Sequence, residues 1–161
     1  MAPRQKITTF LWFDKEAEEA ARFYTSIFEN SKILDVSRYG EAGPGPKGTV
    51  LVVEFELAGQ RFLALNGGPH FKFTEAISLL VDCETQEELD ALWEKLTSNG
   101  GNDAPCGWLK DRFGLSWQLV PSAAVRLLHD PDPERAARTM RALMQMKKID
   151  IAALKRAHAG T

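Results

Sequence analysis

The chain states one hydrophobic pattern twice, about 70 residues apart, and that duplication limits its possible folds more than any other feature. Ile7-Thr-Thr-Phe-Leu-Trp-Phe13 reads as a strand that passes through Asp14 into a helix. Ile77-Ser-Leu-Leu-Val81 passes through Asp82 and Glu84 into another. The first helix carries Ala17, Ala20, Ala21, Tyr24, Ile27 and Phe28 at the spacing of one helical face, and the second repeats the stripe with Leu89, Leu92, Trp93 and Leu96. Both open with acidic residues, as the helix dipole favours. Strand-like segments follow each helix, so the pattern predicts two strand–helix–strands modules with a site between them.

In the first module, strands are expected at Lys32 to Tyr39, Thr49 to Leu57 and Arg61 to Leu65. Gly40-Glu-Ala-Gly-Pro-Gly-Pro-Lys-Gly48 interrupts them as an exposed loop, since its glycines and prolines do not suit a sheet interior. Asn66-Gly-Gly-Pro-His-Phe-Lys-Phe73 is a shaped link between modules. In the second module a glycine stop ends the helix, strands are expected at Cys106 to Lys110 and Leu115 to Val120, and a short early strand is missing. Beyond Pro121 the pattern turns helical, with a start at Asp130-Pro-Asp-Pro133 and a helix over Arg135 to Lys148.

Bulk properties exclude several function classes. A chain of 161 residues can bury roughly 70% of its unfolded surface without staples. The net charge of −2 gives no electrostatic reason to expect nucleic acid or an anionic membrane as partner. Apolar runs are strand-length, and no leader is recognised before Ile7. Cys83 and Cys106 have no metal-binding spacing, so a soluble protein of the reducing cytoplasm is expected. Residues 122–161 hold eight Lys/Arg against four Asp/Glu, so the tail is free to dock on the more acidic body, to dock on a second subunit or to stay solvated.

Taken in order, Thr8-Thr-Phe-Leu-Trp-Phe-Asp14, Ala20-Ala-Arg-Phe-Tyr24, Asn66-Gly-Gly-Pro-His-Phe71, Cys106-Gly-Trp-Leu-Lys-Asp111, Phe113-Gly-Leu-Ser-Trp-Gln118 and Met146-Lys-Lys-Ile-Asp-Ile-Ala-Ala-Leu154 resemble the PhnB-like branch of the vicinal oxygen chelate superfamily. That superfamily includes glyoxalase I, extradiol dioxygenases and antibiotic-resistance proteins. The resemblance implies an α+β fold of two βαβββ modules, at about residues 6–66 and 76–121 of a domain spanning 1–121. Residues 122–161 then form a C-terminal helical extension, and a homodimer is implied.

Metal-dependent relatives chelate substrate oxygens on a divalent cation that acts as a Lewis acid. Matching Asp14, the Val81-Asp82 pair and the Gly114 turn puts Ile7, Ala64, Ala76 and Gln118 where His, Glu, His and Glu are expected. A one-residue slip offers Thr8, Leu63 or Leu65, Ile77 and Trp117 or Leu119, which is no better. The metal site is therefore expected to be absent.

With the Ile7 and Gln118 faces lining a cavity, alternation adds Thr9, Leu11, Phe62, Asn66, Ser78, Leu80 and Ser116. The same side chains suit a filled core. Gln118 must satisfy its carboxamide, by a ligand oxygen or by tying two strands. Trp12, Trp108 and Trp117 offer flat surfaces for a planar ligand. Lys72, Lys110 and Arg112 flank the mouth.

His70 and Cys106 are the weak catalytic candidates, one as a proton shuttle and one as a thiol. No nucleotide motif is found, and no cofactor is expected. The leading expectation is metal-independent binding of a small, largely apolar or aromatic molecule in a cavity between the sheets. An enzyme using His70 or Cys106 with Gln118 and Asn66 as positioners, or an interaction module acting through the basic tail, remain as alternatives.

Overall fold

Strict alternation along Val50 to Asn66 builds the first sheet. Val53, Phe55, Leu57, Phe62 and Ala64 are all buried, and the residues between them are not. The computed structural model describes residues 4–161. It divides into two compact units, one up to Lys72 and one spanning Phe73–Thr161.

The first unit runs β1 (Thr9–Phe13), α1 (Ala17–Ile27), β2 (Lys32–Arg38), β3 (Val50–Leu57) and β4 (Gln60–Asn66). The sheet order is β1-β4-β3-β2, with β1 and β4 parallel and the other pairs antiparallel. Helix α1 covers one face of this sheet. Its stripe of Ala17, Ala20, Ala21 and Tyr24 is fully buried, and small alanines let the backbone approach the strands. The Tyr24 ring sits 6.4 Å from Phe55, which stacks on Phe62 at 5.5 Å. Each such burial stabilises by about 1.5–3 kcal/mol.

The second unit repeats the topology: β5 (Ser78–Val81), α2 (Gln86–Thr97), β6 (Asn102–Asp103), β7 (Trp108–Lys110) and β8 (Ser116–Leu119), in the order β5-β8-β7-β6 with β5 and β8 parallel. The early strand expected to be missing is present as β6, two residues long. Thr85 caps α2 by accepting the Glu88 N–H at 3.1 Å, while the Glu88 carboxylate accepts the Glu84 N–H at 2.9 Å. The expected strand from Cys106 starts two residues later, because Pro105–Gly107 forms a helical turn with Cys106 at φ +62°.

The tail is three helices, α3 (Ser122–Leu128), α4 (Pro133–Leu143) and α5 (Ile151–Ala159). The helix expected over Arg135 to Lys148 stops early and a new one begins where Asp150 accepts the Ala153 N–H at 2.9 Å. The extension folds onto its own module. Cys106 and Gly107 donate N–H bonds to the Met146 and Lys147 carbonyls at 2.9 and 2.8 Å. Gln86 donates to the Ile149 carbonyl and accepts from the Ile151 N–H, both at 2.9 Å. Lys147 pairs with Asp103 and Lys148 with Asp90, so basic tail residues do meet acidic body residues. Among the described residues no helix is long and apolar enough to cross a membrane.

Candidate functional site

Each sheet has a face that its helix leaves uncovered, and strand register decides which residues occupy it. In the first unit Leu11 pairs with Ala64 and Thr9 with Phe62, so these residues share the α1 face. Leu11 and Phe62 are each 5% exposed. The expectation that they line an open cavity is corrected: they are core, because the α1 stripe of Tyr24 and three alanines takes that side of the sheet. Thr9 lies half-buried on the same face. The uncovered face carries Phe10, Trp12, Leu63 and Leu65, the alternative parity.

A pocket of about 550 Å³ opens over that face. Trp12, Leu51 and Leu65 line it from the sheet, and Tyr39 to Pro44 from the loop after β2. Leu51 reaches this side because β3 bulges there: Ser37 pairs with Val52 while Arg38 pairs with Val50.

The Trp12 indole is held in place. Its N–H donates to the Gly68 carbonyl at 2.9 Å, and Phe71 meets its ring edge-on at 4.8 Å. A side chain at position 67 would lie 2.3 Å from the indole, so glycine is required there. The Gly43 and Gly45 positions pass as closely against the Tyr39 ring, where an added Cβ would come within 2.6 and 2.5 Å. The Tyr39 hydroxyl donates to the Asn66 carbonyl at 2.6 Å.

A second cavity of about 750 Å³ adjoins the first at Tyr39, Pro44 and Gly67, lined among others by Asp14, Lys15, Arg38, Asn66 and His70. His70 is thus brought to a cavity wall, as an exposed side chain. Asn66 lines it too, but its carboxamide is spent: Oδ1 accepts the Ala17 N–H at 2.8 Å and Nδ2 donates to the Val50 carbonyl at 3.1 Å. It substitutes for the side-chain cap that Glu16 does not supply to α1.

In the second unit the expected parity holds. Ser116 pairs with Ser78 and Lys110, and Gln118 pairs with Leu80 and Trp108, which puts Ser78, Trp108, Ser116 and Gln118 on one face. A pocket of about 310 Å³ there is lined by Trp108, Lys110 and Ser116 with Glu75 and Asp103. The Ser116 hydroxyl is buried with no hydrogen-bond partner among the described residues. Gln118 donates to the Ser78 hydroxyl at 2.8 Å, tying β8 to β5. Lys110 is ion-paired with Glu75, which holds the Glu75 carboxyl below its ordinary range, and Arg112 lies over the Phe113 ring at 4.8 Å.

Two sequence candidates belong elsewhere. Trp117 is core, 2% exposed, with its indole N–H on the buried Asp111 carboxylate at 2.9 Å. Cys106 is a docking joint for the tail, its Sγ 3.8 Å from the Leu143 carbonyl oxygen. Sequence reasoning missed Tyr39, Leu51, Leu65 and Gly67. No local signal marked them: the small-residue stripe of α1 identifies the buried side of the helix, not the sheet parity that side covers.

The donor set expected for a divalent cation does not fit one. Ile7 is 85% exposed ahead of β1, Ala64 is buried under α1, and Ala76 lies in the segment before β5. None of these three has a donor atom, which leaves the Gln118 carboxamide oxygen alone where a set of His and carboxylate ligands is needed; the Gln118 Nε2 donates to Ser78. Among the described residues no three His, Cys, Asp or Glu side chains converge.

Two βαβββ units, each a helix-backed four-stranded sheet, define the vicinal oxygen chelate class. The chain belongs to the family described as 3-demethylubiquinone-9 3-methyltransferase, the PhnB-like branch of that class, whose model matches residues 5–120. The match ends before α3, so the tail lies outside it. The chain is similar to the PhnB protein of Bacillus cereus, with 45% identity over 73% of this chain and 100% of that one and a TM-score of 0.67. It shares its fold with a glyoxylase/bleomycin resistance protein/dioxygenase domain from Frankia, at 19% identity over 74% and 98% of the two chains and a TM-score of 0.50. The fold also matches the fosfomycin resistance protein FosX of Listeria monocytogenes, solved with Mn(II) and sulfate, at 15% identity over 75% and 90% and a TM-score of 0.50. Among curated proteins, none matches.

Proposed function

We propose that this protein binds a small, largely apolar or aromatic molecule without a metal ion, and that the first unit holds it in the pocket floored by Trp12. The observation that carries the reading is the fixed indole. Trp12 is held by the Gly68 carbonyl and the Phe71 ring before any ligand arrives, so little ordering cost remains when a planar molecule stacks on it. The remaining walls include the apolar Leu51, Leu65 and Tyr39 ring, the one charged lining residue, Glu41, is paired with Lys47, and a volume of about 550 Å³ suits a small organic compound. Metal independence rests on the chemistry at Ile7, Ala64, Ala76 and Gln118.

The protein is further proposed to act as a homodimer in the cytoplasm. The family resemblance supports the dimer, and two free thiols, Cys83 and Cys106, suit a reducing compartment.

The test is a fluorescence titration of chelator-treated protein with the neutral aromatic probe N-phenyl-1-naphthylamine. Saturable binding at one site per chain, lost in Gly67→Ala, supports the reading. Absence of saturable binding, or binding only after a divalent cation is added, contradicts it.

One rival has an observation behind it. His70 stands on the wall of the adjoining cavity, and in this reading it relays a proton to a ligand reaching past Tyr39. Under that reading His70→Gln abolishes turnover of a substrate while the substrate still binds; unaltered turnover removes His70 from the mechanism.

A further inference from the structure

We propose that the ligand of the Trp12 pocket carries an anionic head group, a carboxylate, sulfonate or phosphate, seated in the adjoining cavity between Lys15 and Arg38. The inference rests on the pocket reading above and gives the chemistry of that same site. The two spaces are neighbours: Tyr39, Pro44 and Gly67 line both. The Tyr39 hydroxyl is committed to the Asn66 carbonyl, so its ring is the surface both spaces share; the first is lined mainly by apolar residues and the second carries Asp14, Lys15, Glu18, Arg38 and His70. A molecule extending past that ring places one end on Trp12 and the other among the charges.

The charge balance there selects the sign of the head group. Glu18 lines the cavity, but its carboxylate is engaged by Arg22 at 2.7 Å. Lys15 and Arg38 have no ion-pair partner among the described residues, and Asp14 is the one wall carboxylate left uncommitted. Arg38 gives one N–H to the Gly48 carbonyl at 3.1 Å, and its remaining guanidinium donors suit a planar or tetrahedral anion. His70 adds a ring nitrogen on the same wall. A cationic head would face two uncommitted cations against one carboxylate. A neutral one would leave the excess of cation over carboxylate on this wall without a counter-charge.

The experiment compares two probes with the same aromatic body on the full chain: neutral N-phenyl-1-naphthylamine and 8-anilino-1-naphthalenesulfonate, each titrated at low ionic strength in chelator. The sulfonated probe is expected to bind tighter by about tenfold, the order of effect of two partly solvated charges. Added sodium chloride should shrink that advantage. In the double variant Lys15→Gln/Arg38→Gln, with folding checked by circular dichroism, the ratio of the two affinities should approach one.

If the neutral probe saturates and the sulfonated probe binds no tighter, or the ratio survives the double variant, the head-group inference is overturned while the pocket stands. If neither probe saturates, the pocket reading fails and this inference falls with it.

Discussion

Trp12 donates its indole N–H to the Gly68 carbonyl oxygen at 2.9 Å, across 56 residues of chain. The bond joins the C-terminal end of β1 to the segment following β4, and it fixes the floor of the pocket before a ligand is present. Gly67 makes the pose possible by leaving room where a Cβ would stand 2.3 Å from the ring. Gly67→Ala should therefore displace the indole, cost about 1–3 kcal/mol of stability in chemical denaturation and lower aromatic-probe affinity at least tenfold. Unchanged stability and binding would show that the indole is not confined as described.

Asp111 is 2% exposed and satisfies three donors, accepting the Phe113 and Leu115 N–H groups on Oδ1 and the Trp117 indole on Oδ2. Asp111→Ala leaves those donors without acceptors and is expected to lose about 3 kcal/mol, or to prevent folding of the second unit. Asp111→Asn keeps one acceptor oxygen and should lose less. Equal stability of both variants in urea would contradict the assignment.

The tail is held by carboxylates. The Ser122 hydroxyl and N–H hold Asp82 below the usual range, Gln86 and Lys148 do so for Asp90, and the Asp132 N–H and His158 for Asp130. Such depressed groups stabilise the fold above the ordinary carboxylate value, and that contribution is lost as pH falls through their folded values. Hydrogen exchange should show α3 and the Ile149–Ile151 region losing protection on acidification before β3 and β4 do. Simultaneous loss would show that these contacts do not set the order.

Burial raises the Cys83 thiol from 9.0 to about 12, with the Glu88 and Asp82 carboxylates adding to the effect. The unfolded thiol ionises first as pH rises, so folding stability attributable to Cys83 falls between 9.0 and about 12 and is intact below that window. At neutral pH an alkylating reagent should modify native protein slowly at Cys83. Cys83→Ala should flatten the alkaline loss of stability; a profile identical to that of the full chain would remove Cys83 as its source.

Most of the fold was legible because each module announces itself locally. Alternation in β3 and β4 and the apolar stripes of α1 and α2 gave the element types, and their repetition gave the topology. Which residues share a face was legible on both sheets, but which face the helix covers was not. Ser78, Trp108, Ser116 and Gln118 do share the face that α2 leaves open, whereas Leu11 and Phe62 lie beneath α1. Alternation groups residues by face but does not say which face the helix takes, and a one-residue change of reference reverses the answer. Asn66 shows another limit: sequence marks a carboxamide near a turn, while only the fold shows it spent on the Ala17 N–H and the Val50 carbonyl. The docking of Cys106 on the tail depends on contacts 37 and more residues apart, which local pattern does not carry.

The chain has four tryptophans, so a heteronuclear spectrum of nitrogen-15-labelled protein resolves four indole N–H signals. Following them through a titration with N-phenyl-1-naphthylamine in chelator reports whether the ligand sits on Trp12. The Trp12 signal is expected to move and saturate, while those of Trp93 and Trp117, buried in the second unit, stay in place. Movement confined to Trp108, or no movement until a divalent cation is added, would contradict that placement.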